Sequence, residues 1–155
     1  MAVCQSFEAS AHDVMVVWEI TQSDYQELGL EDLRAIADKL RNVTLGGAAR
    51  KLALADDLGE NHAEALERGR AARNWLAHES TLMVAEKGDL SDDFVSHLTQ
   101  FRQHIKYLCH ADAQLSAASY EIQEREAVSA ESRESYARRI EAWVLKPIWS
   151  CLESA

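Results

Sequence analysis

At 155 residues, 47% of them hydrophobic, the chain has the length of one domain and ample apolar material for a core. Its formal net charge of −10 argues against loose, non-specific nucleic-acid binding, which depends on cations meeting phosphates. The three cysteines, Cys4, Cys109 and Cys151, are odd in number, show no metal or redox spacing, and suit free, mostly inert thiols in a reducing compartment.

One proline and six glycines punctuate the chain, and sustained β-branched runs are scarce, so the expected class is all-α. The first predicted helix covers roughly residues 7–22, with Phe7, Val14, Val17, Trp18 and Thr21 on one face. No basic residue precedes Glu8 and Asp13, and the apolar run Val14 to Trp18 is too short for a signal peptide or membrane span. A cytoplasmic protein without a membrane segment is expected. Ser23 and Asp24 are placed to cap a second helix reaching about Val43, with the stripe Leu30, Leu33, Ile36, Ala37, Leu40 and Val43. Thr44 is the predicted N-cap of a short third helix ending near Leu58, where Gly59 reads as a C-terminal stop.

A long helix is predicted from about Asn61 to Glu86, and the longest opens at Ser91-Asp92-Asp93. The latter carries an alternating four-three seam: Phe94, Leu98, Phe101, Ile105, Leu108, Asp112, Leu115, Ser119 and Ile122. That seam suits either the core of a bundle or a second subunit. The last helix begins near Ser129 with Tyr136, Ile140, Trp143 and Val144, and Pro147 is expected to kink or restart it. Short connections between such helices predict a single domain over 1–155, an antiparallel up-and-down bundle of four to five helices.

The chemistry concentrates in Arg73-Asn74-Trp75-Leu76-Ala77-His78, inside the helix from Asn61. Arg70, Asn74 and His78 stand at i, i+4 and i+8 and share a face, with Arg73 one step round and Ala77 and Thr81 continuing the same side. Leu66, Ala72, Leu76 and Met83 fall elsewhere, towards the bundle. From Lys39 to His78 seven Lys/Arg stand against five Asp/Glu, so a long non-acidic stretch of an acidic chain contains this string; ordinary helix-surface charge accounts for that excess as well. A histidine titrates near neutrality and can take or return a proton, and an arginine fork suits the non-bridging oxygens of a phosphate. Asparagine can orient either of them. In RNA the nucleophile, a 2′-hydroxyl, is already present, so such a face could cleave a phosphodiester with no metal and no cofactor. Read by itself, the pattern more readily describes a surface arginine and a histidine bonded at a helix packing edge.

The segment Glu67 to Ser80, ERGRAARNWLAHES, resembles the signature helix of the HEPN superfamily: Arg, a polar residue, then His after four to six residues. The matching positions are Arg73, Asn74 and His78, and the approach through Thr44-Leu45-Gly46-Gly47 and a short helix is also similar. The resemblance implies a HEPN-like bundle that dimerises through its motif helix. It implies metal-independent RNA cleavage in many members, leaving a cyclic phosphate and a 5′-hydroxyl, and membership of toxin–antitoxin, phage-defence or RNA-processing systems. An antitoxin or nucleotidyltransferase partner follows from that setting. HEPN toxins paired with minimal nucleotidyltransferases often carry a modifiable tyrosine two positions after the histidine, where this chain has Ser80.

The resulting expectation is an endoribonuclease with His78 as general acid and base, Arg73 stabilising charge on phosphorus, Asn74 orienting, and Arg70 holding the RNA backbone with Arg73. The alternatives are a non-catalytic dimeric HEPN module binding a nucleotide or partner protein, and a helical interaction protein with a fortuitous motif. His97, His104 and His110 form no HxxxH pair, so no metal site is expected of them. Glu121, Glu124 and Glu126 read as a solvated face. Of Trp18, Trp75, Trp143 and Trp149, most are expected in the core, with Trp75 the candidate for an interface.

Overall fold

The computed structural model describes residues 2–22, 28–53, 59–78 and 92–153, and all of its regular structure is helical. Six helices are described: α1 (Ala2–Gln22), α2 (Leu30–Arg41), α3 (Leu45–Ala53), α4 (Gly59–His78), α5 (Asp92–Glu124) and α6 (Ala130–Glu153). α3 is separate from α2, as the predicted break at Val43-Thr44 requires. Thr44 caps α3 as predicted: its Oγ1 accepts the Gly47 N–H at 3.2 Å, and its carbonyl accepts that of Ala48 at 2.8 Å. Gly59, expected to stop a helix, instead opens α4. Ser23, Asp24, Thr81 and Met83 lie outside the described residues, as do the predicted ends at Leu58 and Glu86. No described helix is long and apolar enough to cross a membrane.

α5 is the central element and packs against α1, α4 and α6; α3 rests on α1 and α4, and α2 chiefly on α1. The predicted seam of α5 faces this intrachain core: Ile105, Leu108 and Leu115 are buried, and Phe101 and Ile122 pack against the cluster. Phe7, Val14 and Met15 from α1 and Leu66, Ala72 and Leu76 from α4 complete it. Each of the larger of these side chains contributes about 1.5–3 kcal/mol on burial, so this cluster rather than helix propensity holds the fold together. Gly69 marks where α4 approaches α5 most closely. A Cβ there would lie 2.4 Å from the Ala111 Cβ and 3.0 Å from Cζ of Phe7.

Three expected core positions differ. Leu30 is 75% exposed, because the first residue of α2 precedes the stripe that turns onto α1. Thr21 is exposed and its hydroxyl donates to the Val17 and Trp18 carbonyls, satisfying groups that the end of α1 leaves over. Trp143 is 66% exposed, on the side of α6 turned away from α5. Trp75 is partly buried within the chain and stacks on His104 of α5, ring centroids 4.3 Å apart. α6 continues through Pro147 to Glu153.

The polar seam position Asp112 is only 3% exposed. Ser10 of α1 donates to its Oδ1 at 3.0 Å and Tyr136 of α6 to its Oδ2 at 3.4 Å, so one carboxyl joins three helices. Burial raises its pKa above the ordinary 3.8, against the smaller lowering effect of those two hydroxyl donors. The folded protein therefore binds this proton more tightly than the unfolded chain does. Stability tied to the neutral acid is complete at low pH and declines as pH rises past 3.8 through the raised value. Urea midpoints of the native chain are expected to fall across that window relative to those of Asp112→Asn. Parallel pH profiles for the two proteins would contradict the assignment.

Glu121 is not part of a solvated face. Its Oε1 accepts from Arg133 at 2.6 Å and from the Val128 N–H at 2.7 Å, closing the connection between α5 and α6. Arg133 also donates to Gln114 at 3.0 Å and meets His62 Nε2 of α4 at 2.8 Å. Arg125, at φ 57°, ends α5 in the left-handed conformation. Cys4 and Cys109 are free and buried; burial pushes the Cys109 thiol up to about 12 and raises Cys4 as well. Thiol-directed reagents are expected to leave both unlabelled in the native protein and to react once it is unfolded, followed by mass spectrometry.

Candidate active site

Arg70, Arg73 and Asn74 stand on α4 because its opposite side, with Leu66, Gly69, Ala72 and Leu76, is committed to the core. The three polar side chains line an open groove of about 470 Å³. Glu8 and His12, one turn apart on α1, form its opposite wall, and Val43, Thr44 and Gly46 from the α2–α3 junction close one side. Gly46 brings the backbone close to the Arg70 stem, since a Cβ there would sit 3.6 Å from its Cδ.

The arginines are already engaged. Nε and one terminal nitrogen of Arg73 both donate to Oε1 of Glu8, from a position 65 residues away in sequence. The other terminal nitrogen donates to Oδ1 of the Asn74 side chain at 3.3 Å. Arg70 forms a two-pronged pair with Glu67, Nε to Oε2 at 2.9 Å and a terminal nitrogen to Oε1 at 2.5 Å. That carboxylate raises the Arg70 pKa further, first by the hydrogen bond and then by its charge. Both forks thus hold carboxylates in the way they would hold the oxygens of a phosphate.

His78 is the last described residue of α4, exposed to solvent one turn beyond Asn74, and it does not line the groove. The site residues read from sequence therefore divide. Arg70, Arg73 and Asn74 share one surface, and His78 stands at its end on the same helix. Asn74 accepts a hydrogen bond from Arg73. Sequence reasoning missed Glu8 and His12. Their only signal was a polar i, i+4 pair beside the buried Phe7 and Ala11, which reads as ordinary helix surface.

Among the described residues, no group of three or more His, Cys, Asp or Glu side chains is arranged to hold a metal ion. His97 and His104 instead lie beside Trp75, at 6.4 and 4.3 Å between ring centroids. The chemistry open to the groove and its end is the binding of an anion by guanidinium groups, with imidazole proton transfer from His78 or His12. No family model, curated protein or solved structure matches the chain.

Proposed function

We propose that the chain is a metal-independent endoribonuclease of HEPN type. The observation that carries this reading is the placement of Arg70, Arg73 and Asn74 along one groove, with an exposed His78 one turn further on the same helix. An RNA phosphate would replace the Glu8 carboxylate on Arg73, an exchange of one oxyanion for another on the same fork. The His78 imidazole takes the proton of the 2′-hydroxyl, whose oxygen attacks phosphorus. The bond from phosphorus to the 5′-oxygen breaks, a protonated histidine returns the proton to that oxygen, and a cyclic phosphate and a 5′-hydroxyl result. Arg73 stabilises the negative charge that builds on the non-bridging oxygens, and Arg70 holds the flanking backbone.

Two copies meeting through the outer face of α4 would bring their arginines and histidines into one cleft, so the working form is a homodimer. The exposed Ala71 on that face leaves room for a close helix crossing. The setting is a cytoplasmic toxin–antitoxin or phage-defence system, with an antitoxin or nucleotidyltransferase as partner. The test is incubation with RNA in EDTA, native chain against His78→Ala. Cleavage that disappears in the variant supports the enzyme; a native chain that cuts no RNA rejects it.

A second reading has its own support. Both arginines are already paired with Glu67 and Glu8, so neither is free for catalysis without displacing a carboxylate, which favours a non-catalytic dimeric HEPN module binding a nucleotide or a partner protein. Retention of a nucleotide by a chain that cuts no RNA distinguishes this module from the enzyme.

A further inference from the structure

A second cavity, of about 450 Å³, lies across the molecule from the arginine groove, between α4, α5 and α6. Its origin is topological. α4 and α6 both run opposite to α5 and both pack on it. At one end they are tied to each other, where Arg133 meets His62 at 2.8 Å. Beyond that tie the facing residues are Ala65 and Ala137, each 7% exposed, whose methyl groups cannot bridge the gap. The space left between them lies within the ordinary size range of small-molecule sites.

The lining has an apolar part and a charged part. The two alanines and the half-buried Tyr107 ring supply the first, and the ring is held from two sides. The Arg68 guanidinium lies 5.9 Å from its centroid, and His104 meets it edge-on at 6.3 Å. Three glutamates reach the rim, and each has its own arginine: Glu64 with Arg68 at 2.5 Å, Glu134 with Arg138 at 3.7 Å, and Glu141 with Arg102 at 3.8 Å. Lys106 and His110, one turn apart on the exposed side of α5, have no ion-pair partner among the described residues. In a protein of net charge −10, the rim of this cavity thus keeps two nitrogen donors over for an outside acceptor.

We infer that this cavity binds a small organic monophosphate. The phosphate would accept hydrogen bonds from Lys106 and His110, while its apolar body lies on Tyr107 between Ala65 and Ala137. Two donors on one side of a helix suit the several oxygens of one phosphate, and Lys binds phosphate well as a point charge. The site is separate from the arginine groove and does not depend on the proposed cleavage activity.

Phenyl phosphate is a suitable probe for the full-length chain, with binding read by calorimetry and by the Tyr107 and His110 ring resonances. The expected result is saturable binding that shifts both rings. The double variant Lys106→Ala/His110→Ala is expected to weaken it by at least about tenfold, the loss of one strong charge-assisted contact. Both replaced side chains are exposed, so the variant is expected to keep the native melting temperature. Arg73→Ala is expected to bind the probe as the native chain does. The proposal is overturned if inorganic phosphate binds as tightly as phenyl phosphate, or if benzyl alcohol does. It is equally overturned if the double variant retains full affinity, or if Arg73→Ala abolishes binding.

Discussion

On the proposed endoribonuclease reading, Arg73→Ala is expected to lower RNA cleavage by about 10²–10³-fold, the usual loss when one stabiliser of a developing oxyanion is removed. His78→Ala should cost a similar factor through loss of proton transfer, about 10²–10⁴-fold. Neither change should unfold the protein. Arg73 and Glu8 are each about one-third exposed, and pairs of that kind contribute at most about 1 kcal/mol. His78 is exposed at the end of its helix. A melting temperature within a few degrees of native together with lost cleavage is therefore the predicted outcome. Glu8→Gln probes the same contact from the other side. With the carboxylate gone, RNA no longer competes for the Arg73 fork, so KM is expected to fall several-fold with kcat little changed. If cleavage is lost with Glu8→Gln while Arg73→Ala remains active, the roles drawn for the groove are wrong.

Gly69→Ala is expected to be the most damaging single-methyl change in the described core. The added Cβ would meet Ala111 at 2.4 Å, with both atoms fixed to helical backbones, so α4 and α5 must separate. Overpacking of this kind costs about 1–3 kcal/mol. The better helix propensity of alanine returns up to about 1 kcal/mol, leaving a net loss of up to about 2 kcal/mol and a melting temperature lower by up to about 8 °C. Ala111→Gly removes the obstructing methyl. The double variant is expected to be more stable than the sum of the two single losses, by about 1 kcal/mol or more in a double-mutant cycle. Strict additivity would show that the close approach at Gly69 does not constrain the packing. The consequences reach the groove, because Phe7 crosses the same point and Glu8 follows it on α1.

Much of the fold was legible because helices write their packing side into a local period. Ile105, Leu108, Asp112 and Leu115 were read as one seam, and all are buried. Leu66, Ala72 and Leu76 were assigned to the core side of α4 and occupy it. The Thr44 cap was legible for the same reason, since its bond to Gly47 spans three residues. Errors fell where periodicity cannot see. Trp143 satisfies the spacing of an apolar stripe, but no described element covers that side of α6. Glu121 looked like surface until Arg133, twelve positions later, folded back onto it.

The candidate site divides along the same line. Sequence alone placed Arg70, Asn74 and His78 on one side of α4, with Arg73 beside them, because 3.6 residues per turn leaves no other arrangement. It could not show that Glu8 fills the Arg73 fork or that His12 faces Asn74 across a groove, since neither lies near α4 in the chain. Nor could it show the cavity between Ala65 and Ala137. Those features arise when α4 closes onto α5 at Gly69 with Phe7 of α1 against the same point, and when α4 and α6 flank α5 without filling the space between them. Helical periodicity is set by neighbours in sequence; the partner of a guanidinium is set by which helix packing brings within reach.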